Sequence, residues 1–523
     1  MSNHHSTMSR RDFMKGLGLV SAGIGAATAT SPLFHDVDEI TSSASGERKR
    51  PWWVKEVDEI TVETDWNAMK RFNARDIMQC SLADRIGRNK LDDLIKLSMN
   101  NRKQWILENK PGYTLRDFAL FTGANFGWFD GFSKCFTGDK RTSPMSGLGG
   151  SDSDVFYLNF GIDGTEQRPG SPDALCVPLP GFPVGGLAVP RWEGTPEENL
   201  RTVRAASRFY GCDEIGVGEL DSLKGQKMIW TQDWDGKHIV FEDVDHGYET
   251  GPFWGGVVQD KEKRVIPTKA RWYISLSQLM SDWNIKRAPT LFGDFTTAEN
   301  YSRLHYAQIR LQRFIKALGY EALAGFMFIN TTSNNPGMAT LNGLGEHGRI
   351  GQLVSPEFGA LQRLAGIITD MPLTPSKPID AGIWRFCSSC SKCQENCPPQ
   401  ALSASDPVTY DVKGTWNNPG KKSTWLDGVK CASFWYEATT LCGVCVASCP
   451  WSRQDKSWVH DLIVKPSIAS TTIFNSFFRS MDDAYGYARA KYDYKTQVCV
   501  TERDPEEWWD LQDLPVYGIY KTH

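Results

Sequence analysis

Cys387-Ser388-Ser389-Cys390-Ser391-Lys392-Cys393-Gln394-Glu395-Asn396-Cys397-Pro398 is a C-x2-C-x2-C-x3-C-P run. A second run follows as Cys431-x10-Cys442-x2-Cys445-x3-Cys449-Pro450. Three cysteines at three-residue steps let a short loop wrap one face of a cubane, while the fourth, followed by proline, turns to the other cluster. The spacing predicts two [4Fe–4S] clusters in a bacterial ferredoxin arrangement. Cys387, Cys390, Cys393 and Cys449 serve one, and Cys397, Cys431, Cys442 and Cys445 the other. The gap after Cys431 is longer than the usual two residues, so that ligand is the least regular. Zinc and disulfides are the alternatives. Structural zinc uses separated C-x2-C pairs, and disulfides need a Cβ geometry that so crowded a loop is poorly placed to give. The scattered Cys80, Cys135, Cys176, Cys212 and Cys499 read as buried free thiols.

Ser9-Arg10-Arg11-Asp12-Phe13-Met14-Lys15 has the form of a twin-arginine export signal, and a Gly/Ala-rich apolar stretch follows it to about Thr30. That stretch is too short for a stable transmembrane helix. The twin-arginine route carries folded proteins, so export does not conflict with clusters inserted beforehand or require disulfides.

With 523 residues the chain has room for more than one domain. A formal net charge of −4 leaves no nucleic-acid footprint. The 19 tryptophans are more than a core needs, and clustered aromatics also line cavities for apolar ligands. Thr195-x2-Glu198 predicts a capped helix carrying Leu200, Val203, Ala206 and Phe209 on one face. Glu214–Gly218 and Arg271–Leu276 predict buried strands, with a polar insertion over 219–263 between them. Thr296-x2-Glu299 predicts the start of a second helix, running from Tyr301 to Leu318 with Gly319 at its end. Alternating helices and strands followed by the cysteine module predict an α/β domain fused to a ferredoxin-like one. The aromatic, acidic tail after Trp451 is expected to pack back on the body.

Five further words stand in order: Tyr301-Ser302-Arg303, Phe314 to Tyr320 (FIKALGY), Gly343 to Arg349 (GLGEHGR), Ser355 to Gly359 (SPEFG) and Thr369 to Leu373 (TDMPL). Together with the cysteine runs and the export signal, these resemble the respiratory reductive dehalogenases from about residue 190 to 455. The resemblance implies an α+β or α/β fold, with a nitroreductase-like corrinoid-binding domain joined to a two-[4Fe–4S] ferredoxin-like domain. The implied boundaries are a signal peptide at 1–30, a linker at 31–50 and an N-terminal region at 51–190. The corrinoid domain then covers 191–380, the cluster domain 381–455 and a C-terminal extension 456–523. It also implies removal of halogen from a small organohalide, a chlorinated ethene by family analogy, as the terminal step of anaerobic respiration. A base-off, cobalamin-type Co(I) corrinoid fed by the clusters is the implied cofactor. The implied place is the outer face of the cytoplasmic membrane, held by a small integral-membrane anchor protein and fed by a membrane electron donor.

Carried over by register, the resemblance makes Tyr301 the proton donor, with Arg363 and Asn330 as its catalytic companions. Thr297 and Trp435 become pocket-lining residues. The chemistry suits those types. A guanidinium stays charged and stabilises the phenolate left after a phenol gives up its proton, and an amide hydrogen-bonds phenol or substrate. Read alone, Tyr301 is a core residue, Arg363 a solvated helix charge and Asn330 a turn residue. Two rival readings are an epoxyqueuosine reductase, opposed by the export signal and negative charge, and a plain electron carrier, which leaves most of the chain without a purpose.

Overall fold

The structure is a computed structural model that describes residues 50–114, 116–117, 192–251, 261–325, 332–402, 407–454, 460–484, 491–493, 498–510 and 514–519. Asn330 and the export signal lie outside these residues.

Helix α1, Pro196–Phe209, begins as its sequence requires. Thr195 Oγ1 accepts from the Glu198 amide and the Glu198 carboxylate accepts from the Thr195 amide, a complete capping box. Its buried face carries Asn199, Leu200, Val203 and Ser207, but Phe209, the last residue of the helix, projects into solvent at 86% exposure. Strand β1 (Glu214–Glu219) pairs antiparallel with β2 (Trp272–Leu279). Helix α2, Leu291–Ala317, is longer than the sequence suggested. Its cap is Thr290, and Thr296 lies inside it, donating its hydroxyl to the Phe292 carbonyl. A T-x-x-E pattern inside a helix imitates a cap because i and i+3 share a face. Strand β3 (Ala322–Ala324), helix α3 (Asn335–Leu341) and strand β4 (Gln362–Thr369) follow.

Among the described residues the central sheet runs β1-β2-β4-β3, and every pairing in it is antiparallel. Of the two expected classes, α+β and α/β, the antiparallel pairings fit α+β. Apolar periodicity reports which face is buried, not strand direction. The sheet is covered on both faces, and β2 is buried without a break from Tyr273 to Leu279, its Ser275, Ser277 and Gln278 included. Ile274 and Leu276 of β2 and Ile367 of β4 pack against Leu200, Val203, Leu304, Leu311 and Ile315 of α1 and α2. Tyr273 and Ile368 face the other way, onto Met228, Ile229, Trp230, Ile239 and Ile266. The 219–263 segment supplies much of that second layer through the small sheet His238–Glu242, Lys263–Pro267 and Tyr248–Glu249. Gly216 and Gly218 in β1 admit Asn342: a Cβ on either would lie within 2.2 Å of it.

The cysteine module comprises α4 (Ile383–Cys390), α5 (Gly428–Glu437) and the short turns around Cys393 and Cys445. Its core is continuous with the body through Leu279, Met280 and Ile285, and with the tail through Ile468 of the short helix Lys465–Ser470 and Phe478 of α6, Asn475–Ala484. The tail does fold back: Trp508 Nε1 donates to Asn284 (2.7 Å) and Trp509 Nε1 to Asp117 (2.9 Å). The N-terminal residues wrap the module, with Lys55–Glu56 pairing Ile379–Asp380 and Leu82 and Leu91 packing on Ala432.

Candidate active site

The site grows from α2 and β4. Thr297 and Tyr301, one helical turn apart, share a face of α2, and Arg363, the second residue of β4, reaches both. The Arg363 Nη2 donates to Thr297 Oγ1 at 2.8 Å, and the guanidinium carbon stands 5.2 Å from the centre of the Tyr301 ring, within cation–π range. Arg363 Nη1 makes a long contact to the Gln362 carbonyl (3.4 Å), and its buried Nε has no hydrogen-bond partner among the described residues. Three residues assigned separately from sequence are thus one unit.

Tyr301 and Arg363 line a cleft of about 270 Å³. Beside Gln362 and Leu364 of β4, its described walls come from five places: Phe72 and Ile77 from the N-terminal region, Trp230 from the second layer, Asn334 and Pro336 at the start of α3, Gly351 to Leu353 after the GLGEHGR word, and a loop carrying Trp416, Asn417, Asn418, Lys421 and Trp425. That loop lies between the two cysteine runs. Trp435 sits on α5 and is not among the described wall residues. The sequence reading missed the aromatics that are there, because a loop has no periodicity; Trp435 comes from family register, four residues after Cys431. Lining residues among those described include no aspartate or glutamate. Asn418 Oδ1 is buried there without a partner, as is Arg363 Nε. One orphan acceptor and one orphan donor in a wall rich in carboxamides fit a ligand whose own edge bears carboxamides, as a corrin's does.

The cysteines form two groups. Cys387, Cys390, Cys393 and Cys449 ring a cavity walled by Phe386, Trp451, Ile350 and Val354. Cys397, Cys431, Cys442 and Cys445 face one another, so that each of the last three thiols is pushed up first by burial and then by its neighbours in that set. Burial pushes Cys390 and Cys445 up to about 12. No three described His, Cys, Asp or Glu side chains converge on a single metal-ion position. Four thiols spread around an apolar cavity suit a cubane, in which each iron takes one thiolate, better than a lone zinc. Arg349 binds this module by three donors, to Cys387 O (2.9 Å), Ser388 O (3.2 Å) and Gln394 Oε1 (2.6 Å). The chain from Arg349 to Val354 is a shared partition: Arg349, Ile350 and Val354 face the cysteines, and Gly351, Gln352 and Leu353 face the cleft.

Residues 49–373 match the family of reductive dehalogenase subunits. The chain is also 30% identical, over 99% of both lengths, to the chloroethene reductive dehalogenase of Dehalococcoides mccartyi (strain VS). The chain belongs to the reductive dehalogenase family. It is an oxidoreductase that removes halogen. An epoxyqueuosine reductase of Cyclobacterium marinum is 26% identical over only 50% of this chain. Among solved structures, the catabolic reductive dehalogenase NpRdhA in complex with 3-bromo-4-hydroxybenzoic acid has the same fold, with a TM-score of 0.52 and 16% identity. The match takes in 86% of this dehalogenase but spans about half, 53%, of that longer chain.

Proposed function

We propose that the cleft is the active site for hydrogenolysis of a small chlorinated alkene, with Tyr301 as proton donor and Arg363 and Thr297 as its setting. The observation that carries this is the Thr297–Arg363–Tyr301 unit opening into an aromatic cleft, with no carboxylate among its described wall residues, that shares a partition with a ring of four cysteines. The full-length likeness to a chloroethene dehalogenase supports the substrate class. Phe72, Ile77, Trp230 and Trp416 present apolar surface of the kind such a substrate needs.

The reaction takes in two electrons and one proton and releases a halide, carbon–halogen becoming carbon–hydrogen. A corrinoid bound in the cleft would supply a reduced cobalt centre for carbon–halogen cleavage, and two [4Fe–4S] clusters on the eight cysteines would supply electrons singly. The chain supplies the rest. Tyr301 Oη gives its proton to the carbon that loses halogen. Arg363, held by Thr297, stays cationic throughout and stabilises the anionic charge that develops on phenol and departing halide. The nitroreductase-like and ferredoxin-like division of the chain, the role of Asn330 beside the phenol and that of Trp435 near the pocket belong to this same reading. So do export by the twin-arginine signal and attachment to the outer face of the membrane through an anchor protein.

Anaerobic purification tests the proposal. About eight irons and one cobalt per chain, with dechlorination of chloroethenes by a low-potential donor, are expected. Eight irons, no cobalt and no turnover after corrinoid reconstitution would instead make the protein an electron carrier.

A further inference from the structure

Lys421, half-buried in the cleft wall, differs from the buried lysines among the described residues. Lys237 has Glu249 at 3.1 Å, Lys286 has Asp282 at 3.9 Å, Lys392 has Asp483 at 2.9 Å and Lys465 has Asp461 at 2.9 Å. Lys421 lines the cleft and has no carboxylate partner among the described residues. Its amine meets the His347 Nε2 at 3.4 Å and the Trp425 ring at 5.5 Å from the centroid. His347 is no substitute for an anion. Its Nε2 lies 3.0 Å from Ser423 Oγ, and burial, with Lys421 beside it, holds the imidazole well below its ordinary range and so neutral. Burial pushes the Lys421 ammonium down to about 8, the mark of a cation lacking a counter-charge. Among the described residues Lys421 and Arg363 share no contact partner, though both line the cleft.

We propose that Lys421, backed by His347 and Ser423, holds the phosphodiester of the corrinoid's nucleotide tail. The assignment rests on reading the cleft as the corrinoid site. The ligand chemistry decides it: a complete corrinoid carries carboxamides around its rim and one anionic group, the phosphodiester, whereas a chloroalkene carries no anion. The cleft offers carboxamides from Gln352, Asn417 and Asn418 and one cation outside the Tyr301 unit. An ammonium–phosphate hydrogen bond in a desolvated site is among the stronger polar contacts.

The test is a binding titration on full-length protein with its iron–sulfur complement, prepared without corrinoid, followed by tryptophan fluorescence. Cobalamin, cobinamide phosphate and cobinamide (which lacks phosphate and nucleotide) are the three probes. Wild type should bind the two phosphate-bearing probes about tenfold tighter than cobinamide. Lys421→Gln should remove most of that difference while leaving cobinamide binding unchanged, and Lys421→Arg should restore it. Equal weakening of all three probes in Lys421→Gln, or no change in any, overturns the assignment. So does unchanged corrinoid binding with loss of chloride inhibition, which would make Lys421 a halide site. Failure of the wild type to bind any probe overturns the corrinoid reading itself, and this assignment with it.

Discussion

The cleft and the cysteine module treat buried charge in opposite ways. Around the cysteines, three cations are matched by acids: Lys392 by Asp482 and Asp483, Arg453 by Asp482 (3.7 Å) and Glu502 (3.5 Å), Arg479 by Glu395, while Arg349 is held by two backbone carbonyls and the Gln394 carboxamide. In the cleft, Arg363 and Lys421 face a wall with no acid among the described residues. A buried ion without a partner costs several kcal/mol, and a fold keeps one only where something else provides the opposite charge. The contrast teaches that neutralised charge here is architecture, while uncompensated charge marks the place where a ligand or a reacting anion belongs.

The comparison breaks most visibly at Lys392. Lys392→Met leaves Asp482 and Asp483 without it, so a loss of about 3–5 kcal/mol is expected, read as a large drop in melting temperature. A stable Lys392→Met protein would show that the network is not structural. On the cleft side, Tyr301→Phe should lower kcat about a hundredfold or more with melting temperature and metal content unchanged. Full turnover in that variant would remove Tyr301 from its role. Thr297→Val, which takes one acceptor from Arg363, should cost about five- to tenfold in kcat and less in KM, since charged hydrogen bonds are worth ~1.5 kcal/mol or more. A purely structural Thr297 would shift the melting temperature instead.

The smallest effect concerns pH. Asp294 is buried, accepts from Thr440 Oγ1 (2.8 Å) and the Leu441 amide (2.6 Å), and is pushed by burial up to about 7. Its folded value is above its unfolded one, so the native state holds the extra proton between about pH 4 and 7. Stability should fall with rising pH across that window, by up to about 1.4 kcal/mol per unit. Asp294→Asn should flatten the slope between pH 5 and 7 in thermal melts; an unchanged slope would assign it to other groups.

Much of this was legible in the chain. Local chemistry wrote its own signals: the Thr195 capping box, the apolar β1 and β2, and the cysteine words. The Tyr301, Thr297 and Arg363 positions came from family register, not from periodicity, and only the fold brings a helix residue and a strand residue into contact. Strand direction was not legible, because alternation is the same in parallel and antiparallel sheets. The cap at Thr290 was hidden by a better-looking word six residues on. The wall from Trp416 to Trp425 was silent because loops carry no repeating pattern and long-range placement is a tertiary matter.

The acids that match Lys392 and Arg453 all come from later in the chain, at 482, 483 and 502. A ribosome therefore delivers the cysteine loops before it delivers their clasp. Until the segment carrying Asp482, Asp483 and Glu502 is made, Lys392 and Arg453 lack these partners.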